Sequence, residues 1–157
     1  MLAIAALGGW NLQLQARLSG VEDDLASARA YQQGVAAVLA IATQPGAQTA
    51  FLAAADPSTR ATGVAAAGPD GTVAISMRDL SPTVGAEVYE AWVIVGDAAP
   101  VPLGGFTVDQ GGTGVFLGST ALAESGAILA LTLEPSSGAT SPTLPVLTLG
   151  SLADSNS

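Results

Sequence analysis

Thr62-Gly63-Val64-Ala65-Ala66-Ala67, followed by Gly68-Pro69-Asp70-Gly71 and then Thr72-Val73-Ala74-Ile75-Ser76-Met77-Arg78, is the stretch from which the architecture can be read. Two short β-like runs flank four residues that each suit a reversal. Gly tolerates positive φ, Pro presets φ near −65°, and Asp bonds its own backbone two residues on. A tight hairpin is the predicted result. In the second run Val73, Ile75 and Met77 share one side and Ser76 and Arg78 the other. That two-residue period belongs to a half-buried strand.

Outward from this hairpin the same alternation of run and turn recurs. Strands are expected near 48–54, 88–95, 101–108, 114–117, 127–133 and 144–149. Asp56-Pro57-Ser58, Ser81-Pro82, Gly96-Asp97 and Gln110-Gly111-Gly112 punctuate the chain between runs. The stretch Ala127 to Leu133 is apolar on both sides until Thr132, as is Tyr89 to Val95 in large part. Both are expected to be central strands. Aromatic residues are only 4% of the chain, so Trp92 and Phe106 are the expected anchors of a core otherwise built of Val, Leu and Ala. The predicted fold is an all-β sandwich of about eight mainly antiparallel strands.

Ahead of Gln44-Pro45-Gly46 the composition changes. Residues 1–42 hold four glycines, no proline, and much Leu, Ala, Gln and Arg, which favours one long α-helix. Its first ten residues, ending in Trp10, are uncharged and largely apolar. Spanning a bilayer takes about 20 such residues, so two readings stand: a helix end packed on protein, or the clipped outer end of a transmembrane helix with Trp10 at headgroup level. Beyond Trp10, Asn11, Leu18, Leu25, Gln32 and Leu39 fall at heptad position a, and Leu14, Val21, Ala28 and Val35 at d. A coiled-coil stalk would use Leu14, Leu18, Val21, Leu25, Val35 and Leu39 as its seam, with polar Asn11 and Gln32 fixing register, and would make the chain a homodimer. An amphipathic helix lying on its own domain would show similar spacing.

The composition closes off much chemistry. There is no Cys and no His, hence no thiol nucleophile, imidazole base, thiolate or imidazole metal site, or disulfide. No catalytic residue, metal ligand or cofactor-binding residue is expected. The net charge is −9, and the only cations are Arg17, Arg29, Arg60 and Arg78, scattered along the chain. Nucleic acid is therefore not an expected partner. Gly111-Gly112-Thr113-Gly114 resembles a fragment of a phosphate loop, but no Lys follows, and hairpin turns suit it better. Asp97 and Asp109 lack the alternating spacing of a calcium loop. Ser136, Ser137 and Ser141 have no activating base in sequence.

Four short elements recur in order: Tyr89-Glu90-Ala91-Trp92, Gly104-Gly105-Phe106, Thr132-Leu133-Glu134-Pro135 and Pro142-Thr143. In this order they resemble the extracytoplasmic domain of anti-sigma-K factors of the RskA type, over roughly residues 39–152. Ser136-Ser137-Gly138 departs from the Gly-Gly pair frequent at that turn. The resemblance implies that Tyr89, Glu90, Trp92, Gly104, Phe106, Glu134 and Pro135 determine the fold rather than react. It implies a single-pass inner-membrane protein whose outer, periplasmic region governs staged proteolysis by an envelope protease, and so the release of a sigma factor. Contact with the sigma factor is expected only through a cytoplasmic domain outside these 157 residues.

The expected organisation is therefore the outer end of a membrane helix at 1–10, a stalk helix at 11–43, a β-sandwich at 44–152 and a polar tail at 153–157. Gly34, Gln44, Pro45 and Gly46 are the expected protease-sensitive points, since Gly relaxes the backbone and Pro removes a donor. Two other functions stay open on the residues alone. One is a β-sandwich binding or adhesion module on a helical stalk. The other is an acid-only hydrolase, which needs two carboxylates on one cleft. Glu87 and Glu90 are three apart in a strand and cannot supply that pair.

Overall fold

The computed structural model describes residues 2–155, with side chains from Trp10 onward except at positions 11 and 12. One helix, α1 (Leu2–Ala42), precedes nine strands: β1 (Gln48–Ala54), β2 (Thr62–Ala67), β3 (Thr72–Arg78), β4 (Val88–Ile94), β5 (Val101–Phe106), β6 (Gly114–Ser119), β7 (Ile128–Glu134), β8 (Thr148–Ser151) and β9 (Ala153–Asp154). This is the expected architecture of a helix followed by a mainly antiparallel β-sandwich. The strands run in the order β5-β4-β7-β8-β1-β2-β3-β6, with β9 added to β1, and every pairing is antiparallel. The terminal strands β5 and β6 approach through side chains. A Cβ on Gly114 would strike the Phe106 ring, and one on Gly104 would lie 3.1 Å from Phe116 Cε2. The sheet therefore curls almost into a barrel.

The hairpin at Gly68–Gly71 forms as expected. Gly68 N–H donates to Thr72 O at 2.8 Å, Gly71 has φ of 83°, and Asp70 Oδ1 accepts from Thr72 N–H at 3.0 Å. Inside the curl, Leu52, Val73, Ile75, Met77, Tyr89, Ala91, Val93, Leu129, Leu131 and Leu152 form the main core. On the far side of β2 and β3, Val38 and Ile41 of α1 pack on Ala66 and Ala74. The half-buried reading of β3 is thereby corrected: Ala74 and Ser76 are buried too, because the helix covers the face that the alternation assigned to solvent.

Several strand boundaries also move. β5 ends at Phe106 rather than Val108, β6 runs on to Ser119, and the last expected strand, 144–149, begins only at Thr148. Just before it, Leu147 N–H still donates to Leu131 O at 2.8 Å, while Thr143 is bonded to Glu134. Pairing continues past residue 152: Ala153 and Asp154 pair with Thr49 and Gln48, and Ser155 Oγ donates to Ala47 O at 2.9 Å. The reading of residues 1–10 as the end of a membrane helix rests on side chains outside the described residues, Trp10 apart, which is exposed. Among the described residues no helix is long and apolar enough to cross a membrane.

Candidate functional site

Strands β4 and β7 pair in a register that sets Glu90 opposite Thr132 and Val88 opposite Glu134. Since alternate residues share a face, Glu90, Trp92, Thr132 and Glu134 all stand on the side of the sheet turned away from the main core. All four are buried nonetheless, Trp92 completely. Trp92 is thus an anchor, but of the outer face and not of the core between the sheets. Its Nε1–H donates to Thr132 Oγ1 at 2.8 Å, and Thr132 Oγ1 donates in turn to Glu134 Oε1 at 2.5 Å. Glu134 also accepts the Thr143 amide on Oε1 at 2.8 Å and the Thr143 hydroxyl on Oε2 at 2.6 Å. One carboxylate thus ties a buried indole to the loop that follows its own strand. The chain between Pro135 and Leu147 is strapped across β7 by it.

The two carboxylates of this face titrate in opposite directions. Burial, then the repulsion of Glu134, push Glu90 above the usual glutamate range, with partial relief from the Gly104 backbone. Burial acts on Glu134 as well, but the bonds from Thr132 and Thr143 outweigh it and hold Glu134 below that range. Glu90 Oε2 has no hydrogen-bond partner and lies where a side chain on Gly105 would need to be, 2.8 Å from its ideal Cβ. A pair of carboxylates with split affinities is the composition of an acid–base site. Here they are 3% and 1% exposed, so no substrate reaches them. What the arrangement does is clamp a loop.

The remaining motif residues frame this clamp. Tyr89, one residue along β4, points into the main core, stacks on Phe106 at 5.8 Å between ring centroids, and donates its hydroxyl to Ser81 O at 2.9 Å. Gly104 has φ of 138° beside a bulge that shifts the β4–β5 register between Ala91 and Trp92. Pro135 is exposed where the strand ends and the strapped loop begins. The motifs spread over the chain thus converge on neighbouring strands β5, β4 and β7. A model of the anti-sigma-K factor rskA C-terminal family matches residues 1–148. The chain belongs to that family. That family is one of anti-sigma factor regulatory domains and is not generally enzymatic. Comparisons with curated proteins and with solved structures found no match.

In this RskA-type domain the helix has two halves. From Ser27 onward α1 is docked on its own sheet. Ser27 Oγ donates to Gly111 O at 2.8 Å, and Val38 and Ile41 are buried. Gly34 sits where the helix crosses the sheet most closely: a Cβ there would stand 2.5 Å from Ser76 Oγ and 2.7 Å from Val115 Cγ2. Of the positions expected to be protease-sensitive, Gly34 is therefore buried in an unbroken helix, while Gln44, Pro45 and Gly46 are exposed in the turn after it. Of the seam positions, Leu14, Leu18, Val21, Leu25 and Leu39 are 45 to 64% exposed and Val35 is half-buried. Both readings of the helix thus have a physical place, the self-docked one after Ser27 and an unpartnered apolar stripe before it.

The ionisable neighbour of Glu134 is not visible in the sequence, because Glu90 lies 44 positions away. The signal available was the pair of matched spacings, Glu90-x-Trp92 and Thr132-x-Glu134. Each puts two hydrogen-bonding side chains on one face of an otherwise apolar strand. Thr143 carried no signal beyond the motif itself. Among the described residues no group of three or more acidic side chains gathers to hold a metal ion.

Proposed function

We propose that this chain is the outer, regulatory region of a membrane-anchored anti-sigma factor, and that its β-sandwich guards the helix leading to it against proteolysis. Residues 1–10 would be the end of a single inner-membrane span, 11–43 the stalk, and 44–152 the guard on the periplasmic side. The observation that carries this reading is the close crossing at Gly34. A protease needs several residues of locally unfolded, extended backbone. Docking of Gly34, Val38 and Ile41 on β2, β3 and β6 holds the end of α1 helical. Undocking would leave a segment of 30–48 that contains Gly34 and runs into Gln44-Pro45-Gly46, where little helical propensity resists cleavage. Release of the sheet would thus be converted into a cut near the membrane, and the cut into release of the sigma factor by the cytoplasmic part.

Limited proteolysis read by mass spectrometry tests this. Gly34→Val forces the sheet off the helix while raising intrinsic helix propensity, so faster cutting within 30–48 would come from lost docking and not from a weaker helix. Cutting there should speed up in the variant. Earliest cuts at Gln110–Gly112 in both proteins, with 30–48 still intact, would end the guard model.

A further inference from the structure

The apolar stripe on the first half of α1 has nothing on it from its own domain. Leu14, Leu18, Val21 and Leu25 are 45%, 62%, 64% and 48% exposed. The domain docks through Ser27, Gly34, Val38 and Ile41, which lie about 130° or more around the helix from the middle of this stripe at 100° per residue. Docking therefore leaves the stripe open from Leu14 to Leu25, ahead of Val35 and Leu39, which share a concavity with Phe51 and Val64 of the sheet.

The charges beside the stripe say what fits. Between Leu2 and Ala42 the helix carries five charged residues, Arg17, Glu22, Asp23, Asp24 and Arg29. With Leu18 and Leu25 at a, Arg17 and Asp24 fall at g and Glu22 and Arg29 at e; only Asp23 faces outward, at f. None of the four flanking charges has an opposite charge three or four residues away on its own helix, where intrahelical pairs form. Across a parallel pair of in-register helices, g faces the e position five residues further on. Arg17 then meets Glu22 and Asp24 meets Arg29, each twice by symmetry. No antiparallel register does as well. Aligning Arg17 with Asp24 leaves Glu22 opposite Gln15, and aligning Glu22 with Arg29 leaves Asp24 opposite Tyr31.

We infer that the stripe binds a second copy of this chain, in a parallel two-stranded coiled coil locked by Arg17–Glu22 and Asp24–Arg29 pairs between protomers. Polar Gln32 lies at a, where one polar layer fixes the register of the two strands. The two sandwiches hang on opposite sides of a shared stalk. This assembly depends on the helix alone and stands whether or not the sandwich acts as a guard.

The test uses the full chain in sedimentation equilibrium, with charge swaps and one introduced thiol. Arg17→Glu or Glu22→Arg alone turns two attractive pairs into repulsive ones and should weaken the dimer about tenfold or more. The double swap should restore affinity to within about threefold of the wild type. The chain has no cysteine, so the thiol of a Gln32→Cys variant has only its counterpart to react with. In the parallel dimer the two are adjacent and oxidise to a disulfide. In either antiparallel register they are about 15 Å or more apart along the helix, beyond disulfide reach. A wild-type chain that stays monomeric even at about 0.1 mM overturns the inference. So does a dimer whose Gln32→Cys variant fails to crosslink, or a double swap no tighter than the singles.

Discussion

The two outer faces of the sheet are covered in different ways. Over β2, β3 and β6 the cover is a helix, and the surface beneath it is made of small residues: Ala66, Ala74 and Ser76, with Gly34 opposite. On β4 and β7 the buried outer face is large and polar, Glu90, Trp92, Thr132 and Glu134, and an irregular loop is bonded to it through Thr143. A helix satisfies its own backbone, so it needs only a smooth apolar bed and close approach. A loop arrives with unpaired backbone donors, which a buried face must accept. Glu134 takes the Thr143 amide for that reason. The helix cover is held by packing and, at its start, by Ser27 bonded to Gly111 and Thr113, whereas the loop cover is bonded to a buried carboxylate through both amide and hydroxyl of Thr143.

If that contrast is right, the loop side should be the costlier to break. Trp92→Ala empties the largest fully buried side chain and strands the Thr132–Glu134 bond beneath it. A loss of about 3 to 5 kcal/mol in unfolding free energy is expected by urea titration. Trp10→Ala, on the exposed part of the helix, should leave the same curve in place. Gly34→Val comes next, at about 1 to 3 kcal/mol for overpacking at the helix crossing. The helix can separate while the core of the sandwich persists. A larger loss from Gly34→Val than from Trp92→Ala would reverse the contrast.

The smallest effect is electrostatic and sharpens the same comparison through pH. Glu90 is raised, so the folded state holds its proton more tightly than the unfolded chain does. Its contribution to stability is complete below the unfolded glutamate pKa and lost as pH rises through the folded value. Glu134 is lowered, so its contribution is present above the unfolded value and lost as pH falls through the folded one. Glu90→Gln should therefore gain in Tm on the wild type as pH rises from acid to neutral. Glu134→Gln should fall behind over the same range. Thermal melts of both variants at acid and neutral pH decide it, and parallel behaviour of the two would show that the clamp is not charged.

The strands and the hairpin were legible because they are local. Alternation in Thr72–Arg78 and the turn chemistry of Gly68–Gly71 act over a few residues, and both appear in place. The long helix was legible for the same reason, from residues 1–42 that favour helix. The clamp was not. Glu90 and Glu134 meet only because β4 and β7 pair, and Trp92 could be assigned burial but not a face. The strand expected at 144–149 is present but starts late, at Thr148, because Thr143 ahead of it is tied to Glu134 and not to a neighbouring strand.

By itself the sequence determined a helix followed by antiparallel strands, a chain without imidazole or thiol chemistry, and the order of its family motifs. Periodicity, turn residues and composition are properties of neighbours in the chain. The tertiary structure alone decided which second faces are buried: β3 beneath the docked end of α1, the outer face of β4 and β7 with a loop bonded to Glu134, while Leu14, Leu18, Val21 and Leu25 of α1 stay exposed. Those outcomes depend on which strands pair and on how closely a helix can approach a glycine-wide gap. Both are set by contacts between residues far apart in sequence.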